Sequence, residues 1–227
     1  MNELSKIKLG KRLTAIEQLV QGGYDHIWDC CCDHGLLGLQ LLASGKAKKL
    51  HFVDIVPQLL EEIEGKLHRF YPADKLWQVH CLDVATLPLP DEPNAKHLII
   101  IVGVGGELLV ELLSKLLPLT KTLNVDFIVS PVHHNYLLRT FLRDHHVGLI
   151  DELIIAENKR FYEVLFINDR ASIPVSLVGD KMWNFNNIEH QRYLQETISH
   201  YQRMAKNPHV DVTTIIRAYQ RLSLLFA

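Results

Sequence analysis

GLIDELIIAENKRFYEVLFI, residues 148–167, contains two strand-like apolar runs that are separated only by Asn158, Lys159 and Arg160. A three-residue connection is too short for a parallel crossover, so the two runs must pair as an antiparallel hairpin. An all-parallel dinucleotide-binding sheet does not end in this way. The stretch therefore favours a mainly parallel α/β sheet that is closed by an antiparallel hairpin.

Five further strand-like runs precede the hairpin and alternate with segments of helical periodicity, which is typical of βαβ units. The interval 85–96 is predicted as a connection instead, because it holds Pro88, Pro90 and Pro93. The predicted fold class is therefore α/β, with a Rossmann-like, mostly parallel sheet. The predicted strands are residues 26–31, 50–54, 76–81, 97–102, 126–130, 148–157 and 161–167, and the helices between them span 36–45, 57–70, 105–118 and 134–146.

Both ends of the chain are predicted to be helical. Residues 1–25 form a lead-in with a helix at 13–20, and residues 26–170 form the Rossmann-like domain. In residues 171–227, apolar side chains recur at helical spacing on both sides of Asn207-Pro208, which predicts a C-terminal helical hairpin.

The charge balance excludes a uniformly basic nucleic-acid binder, because 24 Lys and Arg stand against 26 Asp and Glu in 227 residues. The charge is unevenly distributed, since residues 1–12 and 181–227 each carry a net charge of +3. The apolar run at 97–104 is far shorter than the roughly 20 residues that a membrane span needs. The first residues lack the apolar segment of a secretion signal, so we expect a cytoplasmic protein.

The four cysteines predict neither a disulfide framework nor a metal centre. Cys30, Cys31 and Cys32 are consecutive and Cys81 is remote, so the paired C-x-x-C spacing of a zinc site is missing. We expect reduced, buried thiols and no bound metal.

Acidic residues follow three successive predicted strands, at the edge where doubly wound sheets bind their ligands. Asp29 and Asp33 flank the turn after the first strand, although Asp33 alone is also compatible with an ordinary helix N-cap. Asp54 ends the second strand, where a carboxylate can accept both hydroxyls of a ribose. Asp83 follows the third strand, either to accept a hydrogen from an adenine amine or to bond its own backbone in a turn.

Three glycines in four residues, Gly103, Gly105 and Gly106, end the fourth predicted strand and give a ligand or base access to the backbone. The G-x-G-x-x-G pattern of dinucleotide binders is missing, and no Lys-Ser/Thr follows the glycines as in a triphosphate site. His133 and His134, after the fifth strand, suggest metal ligation or acid–base chemistry. The simpler alternative is solvated histidines at a helix start, because neighbouring residues on a helix do not face each other.

The chain resembles the bacterial tRNA (adenine-22-N1)-methyltransferase family, TrmK, over roughly residues 5–170, and its C-terminal hairpin resembles that family's coiled-coil appendage. It departs from the family pattern at Cys31, where the family has Gly, and at Ser130-Pro131-Val132, where the family tends to have Gln-Pro-Asn. The matching features are Leu9-Gly10-Lys11-Arg12-Leu13, Asp29 with Asp33-His34, Gly103-Val104-Gly105-Gly106, Ile150-Asp151-Glu152 and Tyr162-Glu163-Val164-Leu165.

The resemblance implies a class I methyltransferase that uses S-adenosylmethionine to methylate N1 of an adenine, at position 22, in tRNA. Asp33 and His34 are then the candidates for removing a proton from the methylated base, with Asp33 first. The cofactor residues would be Asp29, Cys31 and Gly35 at the methionine end, Asp54 at the ribose, Asp83 and Val84 at the adenine, and Gly103, Gly105 and Gly106 along the cleft. Ile55, next to Asp54, is a further candidate for cofactor binding. The predicted tRNA-facing residues are Lys6, Lys8, Lys11, Arg12, Arg192 and Arg203.

Three alternatives remain at this point. The protein could methylate another RNA position or a small molecule, or it could bind RNA and cofactor without turnover. A nucleotide-dependent oxidoreductase is the third, and the missing dinucleotide fingerprint argues against it. For the target base, Tyr136 and Phe161 are candidates for a stacking surface, although core positions are an alternative for both.

Overall fold

A computed structural model describes residues 8–72, 74–90, 92 and 94–224 of the chain. These residues form one sheet of seven strands in the order β3-β2-β1-β4-β5-β7-β6, with helices on both faces. The strands are β1 (Tyr24–Cys30), β2 (Ala47–Asp54), β3 (Trp77–Cys81), β4 (Lys96–Val102), β5 (Asn124–Ser130), β6 (Gly148–Glu157) and β7 (Arg160–Asn168). The helices are α1 (Lys11–Leu19), α2 (Leu36–Ala43), α3 (Pro57–Phe70), α4 (Gly106–Thr120), α5 (Asn135–Asp144), α6 (Ile188–Met204) and α7 (Thr213–Ser223).

The predicted fold class is confirmed. Strands β1 to β5 pair in parallel, and β7 runs antiparallel to both β5 and β6. The hairpin turn that decides this topology has Asn158 and Lys159 in the left-handed region, with φ angles of 51° and 62°. All seven predicted strands and the predicted helices are present, with ends that move by a few residues.

The two faces of the sheet bury separate apolar clusters. One face packs α4 and α5 against the sheet, with Leu113 and Leu138 in the same cluster as Ile99. The other face is covered by α1, α2 and α3, and Ile16 of α1 shares its cluster with Ile27 of β1. The lead-in helix therefore packs on the sheet itself. Its position brings Arg12 to the carboxyl edge of the strands, where the candidate site lies.

The C-terminal helices α6 and α7 pack on the hairpin through a third cluster that includes Ile154, Trp183 and Tyr219. Beneath it lies a charged network centred on Arg139, which is fully buried. Arg139 donates to Glu163 at 2.6 Å and to Glu152 at 2.7 Å, and the Tyr193 hydroxyl donates to Glu163 at 2.5 Å. This network connects α5, the hairpin and α6.

A second polar group lies on the face of the sheet that α4 covers. It consists of His26, His51 and His80 on three neighbouring strands, and we call it the imidazole row. Nδ1 of His26 lies 3.0 Å from Nε2 of His51, and Nδ1 of His51 lies 2.9 Å from Nε2 of His80. The ring of Trp28 stacks on His51 with a centroid distance of 3.7 Å. Burial and the neighbouring histidines lower the pKa of His51 to about 2, so the ring is neutral at physiological pH.

None of the helices in the described part of the chain is long and apolar enough to cross a membrane.

Candidate functional site

The candidate site lies where the strand order reverses, between the carboxyl ends of β1 and β4. These strands are neighbours, with Asp29 opposite Ile100, and chain connections leave them in opposite directions along the sheet. Such a switch point leaves a crevice that binds ligands in open α/β sheets. Here the crevice holds a cavity of about 330 Å³ whose lining includes Arg12, Asp29, Cys31, Asp33, His34 and Gly103.

Asp29 is the most deeply buried acid of this cavity, with 2% of its surface exposed. Its Oδ2 atom accepts a hydrogen bond from the backbone N–H of Gly38 at 2.8 Å, near the start of α2. Burial raises the pKa of Asp29 to about 7, and the neighbouring Asp54 adds to the shift. The carboxylate has no cationic partner among the described residues, so a positively charged ligand group would stabilise its ionised form.

Arg12 enters the same cavity from α1. Its Nε and Nη1 atoms are buried and find no hydrogen-bond partner among the described residues. The guanidinium lies over the ring of Tyr162, 4.4 Å from its centroid, and its Nη2 atom lies beside Gly103. The structure thus places Arg12 in the cavity, whereas the sequence suggested a residue on the tRNA-facing surface. Buried guanidinium donors without partners fit an anionic ligand group such as a carboxylate.

The turn after β1 has an unusual backbone. Cys31 and Asp33 have φ angles of 54° and 49°, and Gly35 has a φ of 67°. The left-handed region favours Gly, so the backbone at Cys31 is strained relative to a Gly at the same position. Asp33 is not a side-chain N-cap, because Gly35 occupies that position of α2.

The thiols of Cys30 and Cys32 are free and buried, and Cys31 is partly buried. Burial raises the pKa of Cys31 to about 11, so this thiol is protonated at physiological pH. The expectation of buried thiols is wrong for Cys81, which ends β3 and is exposed.

Asp54 is held by the backbone of two turns. Its Oδ2 accepts from the N–H of Asp33 and its Oδ1 from the N–H of Val56, both at 3.1 Å. The next residue, Ile55, is 70% exposed, so its apolar side chain is accessible to a ligand. Together they offer a carboxylate and an apolar surface at the end of β2, as a ribose and an adenine ring require.

Asp83 hydrogen-bonds the backbone of its own turn, which is the second of the two roles that the sequence suggested. Its Oδ1 accepts from the N–H of Ala85 at 2.9 Å and caps a short 3-10 turn at Val84–Thr86. The side chain of Val84 is buried in the core under α4. Any contact of Val84 with an adenine would therefore use its backbone.

Asp33 and His34 lie at the mouth of the cavity, and both are exposed. Nε2 of His34 is 3.6 Å from Oδ1 of Asp33, and its Nδ1 is 3.7 Å from Glu62. Their exposure makes both accessible to a base that enters from solvent.

The three glycines after β4 have different reasons for being glycine. Gly103 has a φ of 86° and lines the cavity. At Gly105, a Cβ atom would lie 2.5 Å from the ring of His133, and at Gly106 it would lie 2.7 Å from the carbonyl oxygen of His134. The missing side chains of Gly105 and Gly106 thus accommodate the turn after β5, and of the three glycines Gly103 lines the cavity at the switch point.

A larger cleft of about 750 Å³ opens beside the turn after β5, between the tip of the β6–β7 hairpin and α6. Its lining includes Lys159, Arg160, Phe161, Tyr193 and Arg203. The ring of Phe161 packs 5.1 Å from Tyr193, so its position agrees with both sequence interpretations, a core contact and a cleft wall. Sequence reasoning treated Lys159 and Arg160 only as turn residues and missed their place in this cleft.

The remaining predicted tRNA-facing residues are on two surfaces. Arg203 lines the large cleft, and Arg192 lies over the ring of Phe161 at 4.7 Å, with Glu196 at 3.5 Å. Lys8 and Lys11 are exposed at the start of α1. Lys6 lies outside the described residues.

The solved structures that this chain resembles over nearly its whole length include two tRNA methyltransferases. The tRNA m1A22 methyltransferase TrmK of Bacillus subtilis has a TM-score of 0.73 and 22% identity, and 97% of each chain is covered. TrmK of Mycoplasma capricolum, solved with S-adenosylhomocysteine, has a TM-score of 0.70 and 17% identity over 94% of this chain and 93% of that one. Both confirm the fold that the resemblance implied.

A third structure matches less of the chain. Magnesium protoporphyrin IX methyltransferase of Synechocystis, solved with bound S-adenosylmethionine, has a TM-score of 0.56 and 16% identity, over 69% of this chain and 77% of that one. No curated protein sequence gives a significant match. The sequence pattern of the methyltransferase domain matches residues 9–165, which include the cavity and both of its strand-end turns. By that match the chain belongs to the methyltransferase-domain family.

Proposed function

We propose that the protein transfers a methyl group from S-adenosylmethionine to N1 of an adenine in tRNA, at position 22. The observation that carries the proposal is the cavity at the switch point. There the buried Nε and Nη1 atoms of Arg12 have no hydrogen-bond partner among the described residues, and the buried carboxyl of Asp29 has no cationic one. An amino-acid end with a carboxylate and an ammonium group has the charges that these two side chains lack.

The residues of the chain fit the rest of the cofactor as well. Asp54 accepts ribose hydroxyls with the lone pairs that its two backbone bonds leave free, and Ile55 packs on the adenine. Cys31 and Gly103, which line the cavity on two strand-end turns, would hold the sulfonium end. When bound, S-adenosylmethionine supplies an activated methyl group, so the protein contributes chiefly positioning.

The acceptor site is the mouth of the cavity. A ring nitrogen of adenine carries an in-plane lone pair, so this transfer needs no covalent enzyme intermediate. Asp33 and His34 are exposed there and accept the proton that the methylated, cationic base loses more readily. Asp33 is the first candidate, with His34 beside it.

Two observations favour tRNA over a small-molecule substrate. The two TrmK structures match 94–97% of this chain, whereas the porphyrin methyltransferase matches 69% of it. The large cleft is lined by Lys159, Arg160 and Arg203, whose positive charges suit the phosphates of a tRNA backbone. A tRNA substrate is consistent with the cytoplasmic location that we expect for the protein.

Calorimetric titration with S-adenosylhomocysteine tests the cofactor site. Arg12→Gln should weaken binding at least tenfold, because the guanidinium contributes a charge-assisted pair in a buried cavity. Asp54→Ala should weaken it through the ribose. Lys11→Ala, an exposed neighbour on α1, is the control and should bind like the wild type. Absence of binding by the wild-type protein would reject the enzyme interpretation.

Incubation with bulk tRNA and labelled S-adenosylmethionine tests the reaction, with the modified nucleoside mapped by digestion and mass spectrometry. We expect label in 1-methyladenosine. Label in another nucleoside alone would reject the adenine-N1 assignment and retain the class. The pair Arg192→Glu and Arg203→Glu should abolish tRNA binding while cofactor affinity stays unchanged. Lys75→Glu, at an exposed residue that precedes β3, reverses a single charge elsewhere on the surface and should have little effect.

A further inference from the structure

Two histidines and a glutamate meet beside the glycine turn, and both histidines also line the large cleft. Their possible ligand atoms, one each from Glu107, His133 and His134, all lie within 4.8 Å of one another. Glu107 is in the first turn of α4, whereas the histidines follow β5. The cluster therefore bridges the turns that follow two neighbouring strands.

The backbone explains how adjacent histidines come to face the same point. Neither residue lies within the helix, since His134 immediately precedes α5 and has a left-handed φ of 60°. This conformation brings Nδ1 of His133 to 3.0 Å from Nδ1 of His134. The sequence argument against a shared ligand, that neighbours on a helix diverge, does not apply to these residues.

The distances suit a transition-metal ion. Nδ1 of His133 is 3.6 Å from Oε2 of Glu107, and Nδ1 of His134 contacts Oε1 of the same carboxylate. Zinc bonds of about 2.0–2.1 Å in a tetrahedral site place ligand atoms roughly 3.3 Å apart. The side chains of all three residues are about half exposed, so the closest pair can separate to admit an ion.

The two turns are already joined to each other. Val132 donates its N–H to the carbonyl of Val104 at 2.9 Å, and Gly106 donates to the carbonyl of His133 at 3.1 Å. The ring of His133 is also pressed against Gly105, where no Cβ would fit. These contacts hold the backbones of the two turns in place before an ion arrives. Fewer groups must then be ordered on binding, which reduces its entropy cost.

We propose that Glu107, His133 and His134 form a binding site for Zn²⁺ or a similar divalent transition-metal ion. Two imidazoles and one carboxylate are ligands that zinc accepts, and the exposed position leaves further coordination sites to water. The bound ion fastens the turn after β4 to the turn after β5. The inference does not depend on the proposed methyl transfer, and a metal-binding measurement tests it alone.

The test is calorimetric titration of metal-free protein with Zn²⁺, in a Cys81→Ser background that removes the exposed thiol. We expect one ion per chain. The variants Glu107→Gln and His133→Gln/His134→Gln should each bind at least tenfold more weakly. The control, His145→Gln/His146→Gln, removes another exposed pair of adjacent histidines and should bind like the background protein.

Thermal unfolding provides a second readout, because an ion that binds only the folded state raises the melting temperature. Zn²⁺ should raise it in the background protein and in the His145/His146 control, and not in the double variant at His133 and His134. Equal affinity in all variants, or an equal loss in the control pair, would overturn the proposal. Circular dichroism of each variant establishes that it is folded.

Discussion

Two arginines of this molecule lie among buried carboxylates, and their surroundings differ. Arg139 is fully buried and bonds both Glu152 and Glu163. Arg12 shares a cavity with Asp29, yet its Nε and Nη1 atoms are without partners among the described residues. Burial alone would raise the pKa of Glu152, but Arg139 and two backbone N–H groups hold it below its usual range. Burial raises the pKa of Asp29 to about 7 instead.

The contrast separates charges that serve the fold from charges that await a ligand. The Arg139 network joins α5, the hairpin and α6, and its members satisfy one another. The unpaired donors of Arg12 and the buried carboxyl of Asp29, which has no cationic partner, cost stability in the absence of a ligand. Such a cost is expected where a site is built to bind something else.

Breaking the Arg139 network should have the largest effect on stability. Glu163→Ala leaves a buried guanidinium with one carboxylate fewer and removes the acceptor of the Tyr193 hydroxyl, so we expect a loss of about 3–5 kcal/mol in the free energy of unfolding. Urea denaturation measures it. The exposed pair Glu111 and Lys115 provides the control, and Glu111→Ala should cost no more than about 0.5 kcal/mol. Equal losses in the two variants would show that the buried Arg139 network contributes no more to stability than an exposed ion pair.

Neutralising Asp29 should raise the free energy of unfolding, in contrast to the loss expected for Glu163→Ala. Its pKa is about 7 in the folded protein and near 3.8 in the unfolded chain, so its contribution to stability is present at low pH and is lost as the pH rises toward 7. Asp29→Asn should therefore stabilise the ligand-free protein at pH 8, by about 2–3 kcal/mol after allowing for the new amide donors.

The same variant should lose at least tenfold in affinity for S-adenosylhomocysteine, because the ammonium group loses its carboxylate partner. Urea denaturation measures the stability of the variant and calorimetry its affinity, both on one preparation. Together they show whether Asp29 serves ligand binding or the fold. A destabilised Asp29→Asn protein with normal affinity would mean that Asp29 serves the fold, as Glu163 does.

Most of the fold was predictable because its determinants are local. Alternating apolar runs predicted every strand, and the three-residue connection at Asn158, Lys159 and Arg160 was enough to require an antiparallel hairpin. We could predict that Asp29, Asp54 and Gly103 lie at the same edge of the sheet, because the carboxyl ends of parallel strands meet there. For such positions, order along the chain is sufficient to infer proximity.

Other parts of the site depend on contacts that sequence order does not contain. Arg12 reads as a member of a basic N-terminal run, and only the packing of α1 on the sheet shows that it enters the cavity. Gly105 and Gly106 suggested an open ligand surface, whereas the adjacent turn fills it with His133 and His134. The meeting of the two histidines depends on one left-handed backbone angle at His134, which the sequence pattern did not reveal.

The imidazole row should have the smallest effect on stability. Unlike Arg139 and Asp29, His51 is a buried polar group that remains neutral. The pKa of His51 falls from 6.5 to about 2 on folding, so stability is full above pH 6.5 and is lost as the pH falls below it. Protonation of His51 in the unfolded chain alone should cost about 2 kcal/mol at pH 5. The lowered pKa of His80 acts in the same direction.

In the wild-type protein this loss is opposed by Asp29, which binds its proton more tightly in the folded state, so stability should change little between pH 7.5 and pH 5. In Asp29→Asn the opposition is gone, and the free energy of unfolding should fall by about 2 kcal/mol over that interval. Adding His51→Gln should remove most of the fall. An Asp29→Asn protein that is equally stable at both pH values would show that His51 takes up a proton in the folded state, and that this polar group is not buried as a neutral one.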